Sequence, residues 1–239
     1  MSPKFLIALL ISITIWSCSE EKKLLLFEEQ HITTPNNNIV EIHIPEAIGN
    51  SKVANNINAI LREKTALALQ FNQEQKSTSS LEENISIFNT EYQNFKNQFT
   101  DSVIEWEAQV DGEVMYQTPE IISISLTCYT NTGGAHGILA INFLNFDAQS
   151  GLLLTNRQLF TDEKSFATLA ESYFETETKD KKDMYFEAES FTLPQNIGYS
   201  SEGLILLYNT YEIAPYATGV TEFAIPYHEA NTYLKFNGI

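Results

Sequence analysis

Basic residues, cysteines and long apolar runs are all scarce in this chain. Lys and Arg number 14 against 31 Asp and Glu, a net charge of −17. Gripping a phosphate backbone, or lying flat on anionic lipid, needs clusters of Lys and Arg. The chain has no such cluster, which argues against both nucleic acid and a charged membrane surface as partners. The two cysteines are Cys18 and Cys128. With Cys18 committed elsewhere, as argued below, one thiol cannot make an internal disulfide. Cys128 lies in the apolar run IISISLTCY (121–129) and reads as a small buried hydrophobe. Stability must then come from a core, which a chain of this length can bury. Neither HExxH nor CxxC occurs, so zinc has no local signature, and no metal or cofactor is expected. The nucleophile elbow GxSxG is missing too; the nearest stretch, GYSSEG (198–203), has the wrong spacing. Internal repeats and low-complexity tracts are absent.

What is present begins with MSPKFLIALLISITIWSCSEEKK. Its apolar run, Phe5 to Trp16, falls short of the roughly 20 residues of a membrane span. Residues 1–17 therefore read as a secretory signal peptide. Ser17-Cys18 resembles the lipobox of bacterial lipoproteins, although Ile15 and Trp16 replace the usual Leu and small residue. The resemblance implies lipidation at Cys18 and a tether over residues 18–23; the alternative is an ordinary signal with an incidental cysteine. Ser19-Glu20-Glu21-Lys22 also looks like the acidic stretch that sends some lipoproteins of the Bacteroidetes type to the outer face of the outer membrane. The expected place is the cell envelope, held by a lipid anchor only. Losing residues 1–17 removes Lys4 and no acid, so the charge moves from −17 to −18. Such a charge steers a cationic partner. It also keeps an exported protein in solution, which is the simpler reading.

Along the mature chain the hydrophobic period changes several times. IVEIHIP alternates as a half-buried strand, after a first extended segment, LLLFEEQHITT. From Asn50 the period is helical, with Val53, Ile57, Ile60, Leu61, Leu67, Ala68 and Phe71 on one stripe. A polar loop, NQEQKSTSS (72–80), leads to a second helix, where Ser80 and Glu83 form a capping box ahead of Ile85, Phe88, Tyr92, Phe95 and Phe99. Beyond Asp101 the chain is β-rich: VIEWEAQV, a turn at Asp111-Gly112, EVMYQ, then 121–131 and 138–147, an antiparallel meander. Asp147 to Gly151 reads as a turn. A third helix starts near Thr161 or Asp162 and carries Phe166, Leu169, Ala170, Tyr173 and Phe174. LILLYNTYEI (204–213) and TEFAIPY (221–227) read as strands, and a short helix (228–234) follows. The order predicts an α+β fold, mainly antiparallel sheet packed against helices, in two closely packed subdomains, 24–147 and 148–239.

The combination of TGGAHG (132–137), NFD (145–147), SG (150–151), RQLF (157–160) and GLILLYNTYEIAPYATGVTEFAIPY (203–227) resembles the extracytoplasmic domain shared by RsiV-type anti-sigma factors and PdaC-type peptidoglycan deacetylases. The resemblance spans roughly residues 25 to 235. It implies an α+β binding or sensing domain, RsiV- and PdaC-like in its first half and RsiV-like in its second. In RsiV-type proteins that domain senses lysozyme. The sigma-binding segment, the membrane helix and the deacetylase domain of those families have no counterpart here, so only the binding role carries over. The resemblance thus implies a lipoprotein with a non-enzymatic role towards lysozyme, a cell-wall component or another cationic macromolecule.

Two local features compete for the site. In the first, Gly133, Gly134 and Gly137 surround His136, whose ordinary pKa near 6.5 suits acid–base work and whose glycines admit close approach. Equally, the glycines make a tight bend that the imidazole pins. The second is the cluster Tyr208, Tyr211 and Tyr216, each a rigid face with one polar tip, and otherwise simply core packing. A hydrolase using His136 against cell-wall material is the competing function, and a purely structural lipoprotein is a third. His31, His43 and His228 could join a histidine site only from distant segments, and Glu105 beside Trp106 is the carboxyl to inspect for a raised pKa.

Overall fold

The computed structural model describes residues 24–34, 39–49, 51–70, 80–187 and 190–239. Cys18, the signal segment and most of the 72–80 loop lie outside the described residues.

Five strands form the first sheet: β1 (Phe27–Thr33), β2 (Val40–Ala47), β3 (Glu107–Gln117), β4 (Ile121–Asn131) and β5 (Ile138–Asp147), in the order β1-β2-β3-β4-β5. Every neighbouring pair is antiparallel except β2 with β3, which is parallel, so the sheet is mixed. A parallel pair needs a long crossover. Here both long helices supply it: α1 (Lys52–Ala68) and α2 (Leu81–Gln98) lie between β2 and β3 in the chain.

Ser51 Oγ accepts from the Ala54 amide at 3.1 Å and Ser80 Oγ from the Glu83 amide at 3.1 Å, so each helix begins on a serine that satisfies an orphan donor. Their stripes bury Ala54, Ile57 and Leu61 from α1 and Leu81, Phe88 and Tyr92 from α2 against Val40, Ile42, Ile44, Val110 and Leu126 of the sheet. The helical stripe ends earlier than its sequence pattern, for Phe99 is exposed.

A turn expected at Asp111-Gly112 is not there, because β3 runs unbroken through both residues. Gly112 serves proximity instead. A Cβ at that position would lie 2.7 Å from Pro45 Cδ and 3.0 Å from Leu126 Cδ2, so only glycine lets β2 and β4 close in on both sides. A register shift between Val114 and Tyr116 then re-aims the end of β3. Tyr116 packs at 5.8 Å from Tyr199 and 5.7 Å from Tyr227, in the second half of the molecule.

The second sheet is antiparallel, β6 (Asn196–Tyr199), β7 (Leu204–Tyr208) and β8 (Thr221–Ile225), and α3 (Glu163–Thr178) packs on it. β6 has no alternation to announce it: all four residues are buried. The expected strand over 204–213 stops at Tyr208, since the chain turns at 209–213 and Glu212 accepts from the Asn209 amide at 2.9 Å to hold that turn. The last helix is also shorter than its pattern, α4 covering Tyr227–Ala230. Phe166, Ala170 and Phe174 of α3 join Ile197, Leu206 and Phe223 in a second core, which also takes in Ile121 from β4.

Side-chain amides bind the two sheets. Asn209 brackets Ile141 of β5, its Oδ1 accepting from the Ile141 amide and its Nδ2 donating to the Ile141 carbonyl, both at 2.8 Å. Asn196 Oδ1 accepts from the Phe143 amide at 3.3 Å, and Asn145 Nδ2 donates to the Ile197 carbonyl at 2.7 Å. The same bracket recurs where Asn58 of α1 holds Ala47 at 2.7 and 2.9 Å, and where Asn231 holds Gly238 at 2.9 and 3.0 Å. The sheets are thereby fixed to each other by polar groups as well as by packing.

Candidate functional site

The corner between β4 and β5 and the turn between β7 and β8 meet in space. On one flank, Gly133 (φ 87°) donates a local hydrogen bond, from its N–H to Asn131 Oδ1 at 3.0 Å. A Cβ there would approach Ile104 Cγ2 at 3.0 Å and Trp106 at 3.7 Å, so this flank rests on the aromatic group of Phe88, Tyr92, Phe95 and Trp106. On the other flank, the His136 ring stacks on Tyr216 with centroids 3.7 Å apart and 16° between planes. Tyr211 stands 5.9 Å from Tyr216 in the same cluster. Residues 131–137 thus connect the helical layer of the first sheet to the tyrosine turn of the second.

Gly137 is crowded, because a Cβ would fall 2.4 Å from the Tyr129 ring and force that ring to shift. Gly134 is not, since a Cβ there would meet nothing nearer than 3.7 Å. The glycines therefore differ in what they do.

His136 Nδ1 lies 3.0 Å from the Gly137 carbonyl, which can only accept, so that nitrogen carries the proton. The Tyr211 hydroxyl is 3.4 Å from Nε2 and donates to it in the neutral ring. The Tyr216 hydroxyl donates to the Gly137 carbonyl at 3.2 Å. The partners of the imidazole are a carbonyl and a phenol; neither is the carboxylate that would orient and charge a general base. What the arrangement does chemically is present one imidazole and two phenols as a fixed aromatic surface. Replacing His136 with Gln removes the stack, and the expected outcome is a melting temperature lower by about 2–4 °C, equivalent to about 1 kcal/mol, read by differential scanning calorimetry. A catalytic histidine in an unstrained loop would leave the melting temperature unchanged.

Tyr208 does not belong to this surface. It is 2% exposed, donates to the Thr192 carbonyl at 2.7 Å, packs 5.6 Å from Phe174, and has its phenol pKa pushed well up by burial. Cys128 is buried, with its thiol pushed up to about 11 by burial and then by the Asp111 charge, a poor nucleophile at neutral pH. Glu105 is exposed and Trp106 beside it is the buried residue, so the apolar setting expected for that carboxyl is absent. His31 and His43 do meet: they face each other across β1 and β2 with rings stacked at 4.2 Å, and His43 Nδ1 is 3.1 Å from Glu29 Oε1. His228 lies 3.6 Å from Glu229, on α4. Among the described residues no group of three or more His, Cys, Asp or Glu could hold a metal ion.

Two residues that shape the site escape a motif search. Asn209 ties the tyrosine turn to β5, and Glu212 accepts from both the Asn209 and Gln195 amides at 2.9 Å. Their only sequence signal is an Asn and a Glu three residues apart, a common turn pattern.

The comparisons with known proteins agree with this architecture. Residues 32–139 match the family described as deacetylase PdaC, and residues 157–228 match the family described as a protein of unknown function, DUF3298. The anti-sigma-V factor RsiV of Bacillus subtilis (strain 168) is 29% identical over 128 residues, 48% of this chain and 44% of RsiV. The chain therefore spans less than half the length of that relative. A DUF3298 family member from Bacteroides fragilis NCTC 9343 superposes with a TM-score of 0.67 at 18% identity, over 89% of this chain and 94% of that one. A DUF3298 family protein from Pseudomonas aeruginosa PAO1 gives 0.60 at 20% identity, over 90% and 96%. At these identities the likeness is one of fold. Among the described residues no helix is long and apolar enough to cross a membrane. Two successive stretches of the chain thus match the PdaC and DUF3298 families, and the chain is distantly similar to RsiV.

Proposed function

We propose that this protein is an envelope-anchored binding domain whose contact surface is the aromatic corner of His136, Tyr211 and Tyr216, and whose partner is a cationic macromolecule of the lysozyme type. Tyr211 carries the proposal. It is 56% exposed, yet its φ is 68°, the left-handed region that glycine and asparagine occupy readily and bulky residues resist. A side chain that costs backbone strain and buries little does not serve stability, and such strain concentrates where a ligand is held. Exposed tyrosines beside an imidazole give the large rigid faces that anchor interfaces, and their ring faces attract Lys and Arg. The net charge, −18 without residues 1–17, adds long-range attraction for a cationic partner. The similarity to RsiV supports this class of partner, and Cys18 would hold the domain in the envelope.

Titration calorimetry of the mature chain with c-type lysozyme, at low and at physiological salt, tests the proposal. Affinity that survives physiological salt is expected; binding that vanishes there is charge attraction alone and overturns the partner. Tyr211→Gly is expected to keep or slightly raise the melting temperature while weakening binding roughly 10-fold or more. A variant that melts lower and binds as before would make Tyr211 a structural residue.

A further inference from the structure

A charge-free apolar groove opens where the chain enters the first sheet. Leu24, Leu26 and Ile48 line it with Val53, Pro119 and Ile122; the remaining lining residues, from Leu25 to Gln149, carry no charge either. In a chain with 45 charged side chains against its 239 residues, formed by 14 basic and 31 acidic ones, such a surface is conspicuous. Leu24 is 50% exposed, Leu26 73% and Ile48 37%, and Leu152 of the adjoining 147–152 turn is 59% exposed. The patch is also rigid. The Ile48 amide donates to the Leu26 carbonyl at 2.8 Å, and Gln117 Nε2 to the Leu25 carbonyl at 3.0 Å, so the leucines are held out rather than trailing.

Its occupant follows from the sequence that precedes it. Cys18 lies six residues before Leu24, and six extended residues reach at most about 20 Å. A lipid on Cys18 would therefore keep this groove within about 20 Å of the bilayer, whereas the acidic remainder is free to face away. We infer that the Leu24-Leu26-Ile48 surface is a membrane-apposed face that inserts shallowly among uncharged or zwitterionic lipid headgroups and fixes the orientation of the domain. The inference rests on the Cys18 anchor for where the membrane is. It reaches further, because it states which side of the protein meets it. Orientation matters to binding: a domain swinging freely on its tether could lay any face on the lipid, while a docked one presents a constant set of faces to partners.

Leu26→Trp in the full chain, mixed with phosphatidylethanolamine and phosphatidylcholine vesicles bearing brominated acyl chains, tests the face. Phe186→Trp, at a 60% exposed position of the second half, is the control, and the parent protein, with Trp16 replaced by Phe throughout, supplies the background of buried Trp106. Mass spectrometry of Cys18 reports the anchor separately. A shallow docked face lies about 5–10 Å into the headgroup region, so bromines are expected to remove about half of the added emission at position 26 and little at 186. If position 26 is unquenched while the acylated chain is vesicle-bound, or if both positions are quenched alike, the inference is wrong although the anchor stands. If Cys18 is unmodified the anchor reading fails, and quenching at position 26 by excess vesicles still decides the face: its presence upholds it and its absence overturns it.

Discussion

Gly151→Ala is expected to lower the melting temperature by roughly 10 °C, from a loss of about 3 kcal/mol at two to four degrees per kcal/mol for a chain of this size. Two penalties coincide at this position. Its φ of 69° is left-handed, and an added Cβ would lie 2.5 Å from the Val53 carbonyl oxygen and 2.9 Å from Val53 Cα. Those atoms belong to the first turn of α1, which is also tied to the loop by Asn56 Nδ2 donating to the Ser150 carbonyl at 2.9 Å. Backbone cannot swing aside as a side-chain tip can, so the loop must move. The Asp147 carboxylate that organises it, accepting from the Gln149 and Ser150 amides at 3.1 and 2.8 Å, would move as well. Gly134→Ala is the matched control, with nothing nearer an added Cβ than 3.7 Å and no positive φ, and should melt within a degree or two of the parent. Equal melting of the two variants would contradict the account.

Phe174→Ala should cost about 4 kcal/mol, the middle of the range for a buried phenylalanine. Phe174 is 9% exposed and its ring is within 5.4 to 6.3 Å of Phe191, Tyr208, Tyr185 and Phe223, so a large cavity would open in the second core. The interest lies in where the loss is felt. Of the two tryptophans, Trp16 falls in the segment expected to be cleaved, and a chain expressed from residue 18 keeps only Trp106, in the first core. Its fluorescence reports that core, whereas circular dichroism reports both halves. The amide brackets and the insertion of Tyr116 beside Tyr199 and Tyr227 couple the two, and both signals are expected to shift to the same lower temperature. A tryptophan transition left in place would mean that residues 24–147 and 148–239 unfold separately. The proposed division near residue 148 is thus a question of cooperativity that this variant answers.

Much of this arrangement was legible in the residues, and the exceptions have physical causes. Stripes such as Ile57 with Leu61 and Phe88 with Tyr92 announce helices, because they repeat at the helical period and face one core. Asp111-Gly112 misleads, since Asp-Gly is among the strongest short-range hairpin signals and only the neighbouring strands reveal that this glycine serves close packing. The four buried residues of β6 give no alternation, and strand and buried coil look alike over so short a run. LILLYNTYEI reads as one strand because Tyr and Ile favour sheet, yet the Glu212 bond to the Asn209 amide turns the chain after Tyr208. The corner and the tyrosine segment were each visible, 75 residues apart between His136 and Tyr211. Their meeting was not, for it depends on Asn209 and on tertiary packing that no local pattern encodes.

The asparagine brackets have a consequence for life at high local concentration. β5 ends the first sheet, and an end strand normally offers its free amides and carbonyls to any other extended chain. Here the Ile141 amide and carbonyl are taken by Asn209, the Phe143 amide by Asn196, the Asn145 carbonyl by the Leu154 amide and the Asp147 amide by the Leu152 carbonyl. A side-chain amide mimics one peptide unit and then stops, closing the ladder without extending it. If copies were crowded on a membrane, they would find those positions already occupied, so strand-to-strand pairing is blocked there by two asparagine side chains and the backbone of Leu152 and Leu154 rather than by charge.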